Sequence, residues 1–471
     1  MTDNVRPDID TPDFESAAFL REHVDSILAF YAPRIFDPAG GFFQHFLDDG
    51  SIYDHQLRHL VSSTRLVFNH SNAFLQTKEQ KYRDWAAHGI AFLQDQHRQQ
   101  SGHYVWQLKG DEIDDGRAMA YGHAFVILAA SWAARLDITG AREMIYDCWS
   151  FMEAHFWEQD HTAYADERDA SLATLSDYRG QNANMHTVEA LIAAYEATDD
   201  RMFLDRAQRV AQQFCQVLAD RANGQIWEHY TDSWDIDWNY NIDKPDDLFK
   251  PWGFQPGHQI EWAKLLLQLD AIAPKDWYLP VAQRLYDTAI DKGWDSQYGG
   301  LVYGYAPDGS FADANKYFWV QAEAIAASWR LFTKTGDVRY RQDYNRLWDW
   351  SWWYLVDHQH GAWYRIVSRE GAWWSLINHL PARWTITRWA PAGMSCRSWN
   401  SNADRARWGL CDRSRLCACP RLSGMHQPRP AGRHDRQRSA LVVLAACFVE
   451  QIFMTIPGPG PGAGGVTLGH C

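Results

Sequence analysis

Histidine, glutamate and asparagine stand near the starts of two strongly apolar segments of this chain. His258 and Glu261 lie three residues apart in PGHQIEW, and Asn182 and His186 lie four apart in NANMH. Such spacings place the members of each pair on one face of a helix. Neutral imidazole is a suitable general base near neutral pH. The pattern therefore indicates proton transfer beside a carbonyl group, such as removal of C2–H from an open-chain sugar.

Three more apolar segments carry polar or aromatic candidates near their starts. They are Arg65 in STR, Tyr121 with His123, and the WVQAE pair Trp319 and Glu323. Arg65 would stabilise the negative charge of an enediolate. Glu261 would hold the His258 ring in one tautomer.

Each of these residues also has a structural explanation when it is taken alone. A histidine near a helix start commonly caps the helix or forms its hydrogen bonds within the core. Glu261 could interact favourably with the positive end of the helix dipole. Arg65 could belong to a structural ion pair. Ionisable groups recur, however, at one structural position of successive apolar helices. Because burying such groups is costly unless they are paired or used, the recurrence favours a functional cluster.

A histidine pair with a carboxylate could also bind zinc. HxxE spacing within one helical turn is common in the absence of metal, so we expect neither a metal nor another cofactor.

An internal repeat supplies the elements that would position these groups. Each unit contains an apolar helix, a short turn, a second helix with a narrower apolar stripe, and a glycine-bearing extended loop. The apolar helices are predicted over 63–77, 122–136, 184–198, 257–270 and 318–332. The striped helices are predicted over 81–93, 143–157, 201–214, 278–290 and 338–355. The first set is expected inside and the second set outside.

This arrangement predicts an all-α fold, an (α/α)6 barrel of inner and outer helix pairs. An extra helix over 19–36 precedes the first inner helix, so a sixth inner helix is expected after about residue 371. The extended loops alternate apolar and polar residues, which predicts short β-hairpins over one mouth of the barrel. These loops lie at 103–111, 225–234, 300–309 and 362–371.

The composition changes abruptly at Gly371. Residues 371–471 contain 12 Arg and no Lys and carry a net charge of +8, whereas the residues before them carry −22. One interpretation is an Arg-rich appendage for an anionic partner. Another is a metal site at Cys411, Cys417 and Cys419, although the spacing fits no standard zinc pattern. The interpretation we favour is translation out of frame, because the wrong frame of a GC-rich gene tends to give Arg without Lys.

Regrouping the possible codons supports a shifted frame. Joining the last base of each codon for 375–389 to the first two bases of the next permits S-D-K-S-P-A-G-K-V-D-Y-H-T-M. That string would begin the missing inner helix and place a histidine near its start. We therefore expect a sugar-converting barrel domain over 1–371 and an aberrant, poorly ordered tail over 372–471.

Composition excludes several classes of protein. The net charge of −14 argues against a general nucleic-acid or membrane-surface binder. The polar segment 1–16 lacks the apolar region of a secretory signal, and no clean apolar run is long enough to span a membrane. Only Cys148 and Cys215 precede residue 390, which is typical of a reducing compartment, so we expect a cytoplasmic protein.

Taken together, the motifs resemble the N-acylglucosamine 2-epimerase family of sugar isomerases and epimerases. STR, NANMH, PGHQIEW and WVQAE occur in this order within residues 20–370. RGQNANMH and PGHQIEWAKL favour the branch that interconverts D-mannose and D-fructose, with D-lyxose and D-xylulose as a secondary pair. The resemblance implies an (α/α)6 barrel that acts on a monosaccharide through a cis-enediolate without metal. We also expect a homodimer.

The resemblance also implies roles for particular residues. His258 would act in acid/base transfer and ring opening, with Glu261 in support. Sugar hydroxyls and the enediolate would be bound by Arg65, Asn182 and His186, and the pocket would be completed by Tyr121, Trp319 and Glu323. The family places a second catalytic histidine in the final inner helix, and the printed sequence has no match for it.

Three other functions remain open at this point. A sugar 2-epimerase must return the proton to C2 on the opposite face with two bases, whereas an isomerase can return it to C1 with one. A glycoside hydrolase or lyase on the same barrel requires two facing carboxylates, for which Glu261 and Glu323 are candidates. That function would leave the histidines without a role. A non-catalytic sugar-binding protein would result from damage to the C-terminal region.

Overall fold

The computed structural model describes residues 10–32, 34–247 and 249–372. Eleven α-helices alternate along this part of the chain, with six of one type and five of the other. The first type is α1 Ala17–Tyr31, α3 Gln80–Phe92, α5 Ala141–His155, α7 Arg201–Gln212, α9 Tyr278–Gly293 and α11 Val338–Tyr354. The second type is α2 Leu60–Thr77, α4 Ala120–Ala134, α6 Gln181–Thr198, α8 Pro256–Ile272 and α10 Phe318–Thr335.

The even-numbered helices form the inner layer of the fold. Every residue of α4 except the last is buried, and α6, α8 and α10 are buried over most of their lengths. The inner helices pack on one another in the order α2, α4, α6, α8, α10. Each also packs against the odd-numbered helix that follows it in the chain. The predicted inner and outer helices are therefore confirmed in the described residues.

The outer helices bury only one side. In α7 the buried residues recur three or four positions apart, as expected for a helix with one face toward the core and one in water. Two outer helices continue into π-helical turns, α3 through Leu93–His97 and α7 through Gln213–Leu218.

The two ends of the outer ring meet around the residues before α1. Tyr344 on α11 donates a hydrogen bond to the carbonyl oxygen of Phe14 at 2.6 Å, and the Phe14 ring stacks on Trp348 at 5.6 Å. Arg341 pairs with Glu15, joined by two nitrogen–oxygen contacts of 2.6 and 2.8 Å. The predicted sixth inner helix and tail lie outside the described residues.

Short strands surround the N-terminal ends of the inner helices. They are β1 His45–Phe46, β2 Ile52–Asp54, β3 Leu57–His59, β4 Gln107–Lys109, β5 Glu112–Asp115, β6 Ala118–Met119, β7 Trp157–Glu158, β8 Ala163–Tyr164, β9 Glu167–Arg168, β10 Arg179–Gly180, β11 His229–Tyr230, β12 Gly304–Tyr305, β13 Phe311–Asp313, β14 Lys316–Tyr317 and β15 Ile366–Val367. Strands β3, β6, β10 and β14 each end directly before an inner helix.

The pairing of these strands builds one mouth of the barrel. The antiparallel pairs include β3–β4–β5, β6–β9, β10–β11, β12–β13 and β14–β15. The loops at 103–111 and 300–309 carry strands of local hairpins, β4–β5 and β12–β13, as predicted. The strands in 225–234 and 362–371 pair instead with β10 and β14, which lie about 50 residues earlier in the chain. None of the helices in the part of the chain described here has the length and apolar character needed to cross a bilayer.

The packing of α2 against α3 allows a test of the fold. A Cβ atom added at Gly89 would lie 2.4 Å from Cγ2 of Val67 and 2.7 Å from Cε2 of Phe42, and both neighbours are buried. Gly89→Ala gains up to about 1 kcal/mol of helix propensity, but overpacking costs about 1–3 kcal/mol. We expect a net loss of stability in urea unfolding. Lys81→Ala, at an exposed position of α3, should change stability by less than about 0.5 kcal/mol, and an equal response of both variants would contradict the close contact.

Candidate active site

The barrel brings most of the predicted site residues together near the mouth. Each stands within about two turns of the N-terminal end of its inner helix. Arg65 lies on α2, Tyr121 on α4, His186 on α6, His258 and Glu261 on α8, and Trp319 on α10, and all six are buried. The gathering follows from the repeat, because every inner helix begins at the same end of the barrel.

His186 lies between two carboxylates. Its Nδ1 is 3.1 Å from Oε2 of Glu189 and 3.7 Å from Oε1 of Glu261. Rings from α4 enclose the imidazole, with Tyr121 edge-on at 5.1 Å and Phe125 at 4.7 Å between centroids. Both carboxylates lie on the Nδ1 side of the ring, so Nδ1 is placed to donate a hydrogen bond to them.

Arg65 and Tyr121 form a second polar group beside His186. An Arg65 guanidinium nitrogen donates to the Tyr121 hydroxyl at 3.3 Å, and the guanidinium lies 4.2 Å from the centre of the Phe125 ring. Burial raises the pKa of Tyr121 to about 12, and the charge of Arg65 opposes that rise. Tyr121 is therefore a neutral hydroxyl beside a permanent positive charge at physiological pH.

The carboxylate that holds His258 is Glu228, and this corrects the expectation that Glu261 would orient that ring. Nδ1 of His258 lies 2.9 Å from Oε2 of Glu228, and both side chains are almost fully buried. Glu261 instead reaches across to His186. Nε2 of His258 is buried and has no hydrogen-bond partner among the described residues.

Sequence reasoning missed three polar members of this cluster. Glu189 follows His186 with the same HxxE spacing that joins His258 to Glu261, so that repeat of the motif was a usable signal. Gln181, whose side-chain NH₂ donates to Oε2 of Glu228 at 2.9 Å, directly precedes Asn182 in the motif already chosen. Glu228 comes from a loop before β11, and no local spacing connects it with His258.

Trp319 covers one side of His258. The two ring centroids are 5.1 Å apart and the planes are inclined by 35°. Gly257 permits this approach, because a Cβ atom there would lie 2.3 Å from Cζ3 of the Trp319 indole. The pair gives the site an aromatic wall of the kind against which the apolar face of a sugar packs.

Asn182 and Glu323 stand in different environments. Asn182 lies one turn before His186 on α6, and its Oδ1 has no hydrogen-bond partner among the described residues. The Glu323 carboxylate pairs with Lys264, and both side chains are buried. This ion pair joins α10 to α8. Asn182 therefore suits a sugar hydroxyl, whereas the contact seen for Glu323 is a bridge between helices.

His123 has a structural role in this arrangement. Its Nδ1 lies 2.7 Å from the carbonyl oxygen of Met119, and its Nε2 accepts a hydrogen bond from the backbone N–H of Tyr104 at 3.1 Å. Burial lowers the pKa of His123 to about 3, so the ring is neutral.

One group of side chains in the described part of the chain has ligand atoms close enough to hold a metal ion. It consists of His186, Glu189 and Glu261, whose ligand atoms lie within 4.8 Å of one another. The same nitrogen and carboxylates already pair with one another, which is a sufficient reason for their proximity.

The fold and these side chains define a class of enzyme. A barrel of paired helices whose mouth collects two histidine–carboxylate pairs, an arginine and a tryptophan is suited to acid/base chemistry on a small carbohydrate. The chain belongs to the N-acylglucosamine 2-epimerase (GlcNAc 2-epimerase) family, whose sequence profile matches residues 41–387.

Individual relatives agree with this assignment. A protein named D-mannose isomerase, from Marinomonas mediterranea, is 51% identical over 352 residues, which are 74% of this chain and 89% of the relative. A crystal structure of a D-mannose isomerase aligns with a TM-score of 0.77 at 50% identity and covers 78% of this chain and 94% of that chain. The cellobiose 2-epimerase structure from Bacillus thermoamylovorans aligns with a TM-score of 0.68 at 19% identity, covering 76% and 94%. That last likeness shows the barrel fold alone.

Asp166 fixes the start of the helix that carries His186. Its Oδ2 accepts a hydrogen bond from the backbone N–H of Gly180 at 2.7 Å, and its own carbonyl oxygen accepts one from Ala120 at 2.8 Å. Burial raises the pKa of Asp166 from 3.8 to about 7, and the charge of Lys250 opposes that rise. The folded protein therefore binds a proton at this carboxyl that the unfolded chain releases.

The pH dependence of stability tests this environment. Because the folded pKa lies above the unfolded one, the contribution of Asp166 is complete at low pH and is lost as the pH rises to about 7. Asp166→Asn keeps an acceptor for Gly180 and removes the titration. In urea unfolding its stability relative to the unchanged protein should rise between about pH 4 and about pH 7. Asp308→Asn, at an exposed turn, should show no rise, and a flat difference for Asp166→Asn would contradict the assignment.

Proposed function

We propose that the protein is an aldose–ketose isomerase that interconverts D-mannose and D-fructose, with D-lyxose and D-xylulose as a secondary pair. The observation that carries the proposal is the 51% identity to a D-mannose isomerase over 74% of the chain. The chemistry of the site supports it, because His258, whose Nε2 has no hydrogen-bond partner among the described residues, and Arg65 are both buried near the starts of inner helices.

The reaction moves one proton from C2 to C1 and a second from O2 to O1, and the carbonyl double bond passes from C1 to C2. Nε2 of His258 removes the proton from C2 of the open-chain aldose, and the electron pair forms a C1–C2 double bond while the carbonyl oxygen becomes negative. The positive charge of Arg65 favours this cis-enediolate. Return of the proton to C1, with transfer of the O2 proton to O1, gives the ketose.

The remaining groups hold the sugar and move protons on oxygen. His186, flanked by Glu189 and Glu261, donates to a sugar oxygen and helps to open the ring. Asn182 binds a neighbouring hydroxyl through its Oδ1. Trp319 and Tyr121 shape the pocket. No step in this route requires a metal, and the partner is a monosaccharide.

We further propose that the protein acts in the cytoplasm as a homodimer. Cys148 and Cys215 are buried free thiols, which suits a reducing compartment.

Replacing the proposed base tests the function. His258→Asn should lower kcat for mannose by about 10²- to 10⁴-fold, the usual contribution of a general acid–base residue. Fructose formation is followed by NMR in deuterated water, where solvent deuterium at C1 reports the proton transfer. His161→Asn, in a loop between β7 and β8, is the matched control and should retain full turnover.

The same assay separates the alternatives. Glucose as the product of mannose would assign a 2-epimerase, and release of sugar from a glycoside would assign a hydrolase. Loss of turnover in EDTA that is restored by a divalent cation would contradict the metal-independent route. Unchanged turnover in His258→Asn would remove His258 from the chemistry.

We also propose that the segment after Gly371 is encoded out of frame and that the true chain continues into a sixth inner helix. The switch from a net charge of −22 to +8, with 12 Arg and no Lys, supports a change of frame. The shifted string D-Y-H-T-M supplies a candidate for the second catalytic histidine that the family resemblance implies.

Sequencing the gene and its transcript across codon 371 tests this proposal directly. We expect a single-base shift, and we expect the frame-corrected protein to isomerise mannose at least about 10²-fold faster than the printed chain, the effect of one acid–base group. A confirmed printed frame together with equal activity of the two proteins would refute it. The His258 variants are therefore made in both chains.

A further inference from the structure

We propose that Glu228 is a positioning residue that fixes the proton of His258 on Nδ1, and that Trp262 sets the direction of this hydrogen-bond chain. The inference rests on the proposed role of His258 as the base. Glu228 touches no reacting atom and acts through the imidazole.

The chain of hydrogen bonds has one consistent direction. The Trp262 indole N–H, which can only donate, donates to Oε1 of Gln181 at 2.7 Å. The amide of Gln181 therefore turns its NH₂ toward Glu228 and donates to Oε2 at 2.9 Å. Since an ionised carboxylate only accepts, Nδ1 of His258 must be the donor across its 2.9 Å contact with the same oxygen.

The backbone holds Glu228 rigidly in this position. Its carbonyl oxygen accepts from the N–H of Gln181 at 3.1 Å, so one residue of α6 binds both its main chain and its carboxylate. Two residues earlier, Ile226 forms two hydrogen bonds with the Gln259 side chain, which is adjacent to His258 on α8. The loop is thus anchored to both helices that carry the proposed histidines.

The consequence for chemistry concerns the other ring nitrogen. With the proton on Nδ1, Nε2 keeps its lone pair, and in the described residues this atom has no hydrogen-bond partner. A negative charge behind Nδ1 also stabilises the imidazolium that forms when Nε2 takes a proton. Glu228 therefore supplies both the tautomer and the charge, and these two contributions can be separated.

An isosteric substitution separates charge from hydrogen bonding. In Glu228→Gln the Gln181 NH₂ selects the amide oxygen as its acceptor, so the Nδ1–H tautomer is retained while the charge is lost. We expect kcat for mannose to fall about 10- to 100-fold with KM nearly unchanged. Glu153→Gln, which removes a carboxylate from the outer helix α5, is the matched control and should leave both constants unchanged.

Removing the directing donor provides a second test. Trp262→Phe alone should have a small effect, because the carboxylate still accepts from His258. In the Glu228→Gln background it frees the Gln181 amide to turn, so the loss in kcat should exceed the product of the two single losses. The His258 tautomer is read from ¹⁵N NMR of histidine-labelled protein, with the signal assigned by its disappearance in His258→Asn.

The outcomes distinguish this inference from the proposed function. Nδ1–H in the unchanged protein and in Glu228→Gln, with a mixture of tautomers in the double variant, supports it. Unchanged kcat in Glu228→Gln, multiplicative single effects, or Nε2–H in the unchanged protein overturns it. If the protein forms no fructose, the proposed function fails, and the NMR measurement still decides the positioning role.

Discussion

Ionisable side chains are costly to bury in an apolar barrel unless they are paired or held neutral, and this constraint organises the mouth. His258 pairs with Glu228, His186 with Glu189 and Glu261, and Lys264 with Glu323. Removing one partner of a buried ion pair such as Lys264–Glu323 costs about 3–5 kcal/mol. Most of these pairs join different elements. Sliding α6, α8 or α10 past a neighbour would therefore leave a buried ionisable group without its partner. The pairs that serve the proposed chemistry therefore also fix the geometry of the barrel.

The helices could be predicted because their patterns of apolar residues extend over several helical turns. The segment around α4 is apolar on all sides, and such a helix can only be interior, whereas the stripe on α7 allows only an outer position. The spacing within each motif predicted which residues share a helix face. The repeat predicted that Arg65, His186 and His258 lie at the same mouth. These inferences needed only the period of a helix and the rule that successive repeats begin at the same end.

Pairing between elements was not predictable from spacing. Glu261 lies three residues from His258, yet its carboxylate reaches His186 on a neighbouring helix. Glu228 reaches His258 because β11 pairs with β10 in a register that sets His229 opposite Gly180, at the start of α6. That register depends on two loops meeting in space. Short strands of two residues carry no periodic pattern from which it could be read.

The two HxxE motifs show how one local pattern acquires two roles. At His186 the motif carboxylate Glu189 and the carboxylate of Glu261 from α8 both face Nδ1, so this nitrogen is placed to donate to them. At His258 the motif carboxylate, Glu261, contacts the other histidine. Glu228 from the loop before β11 binds Nδ1, and Nε2 has no hydrogen-bond partner among the described residues. In the proposed mechanism His258 acts as the base and His186 donates to a sugar oxygen, and this difference arises because Glu261 contacts His186 rather than His258. The different environments of the two histidines therefore depend on the contact between α6 and α8, and they cannot be read from either motif alone.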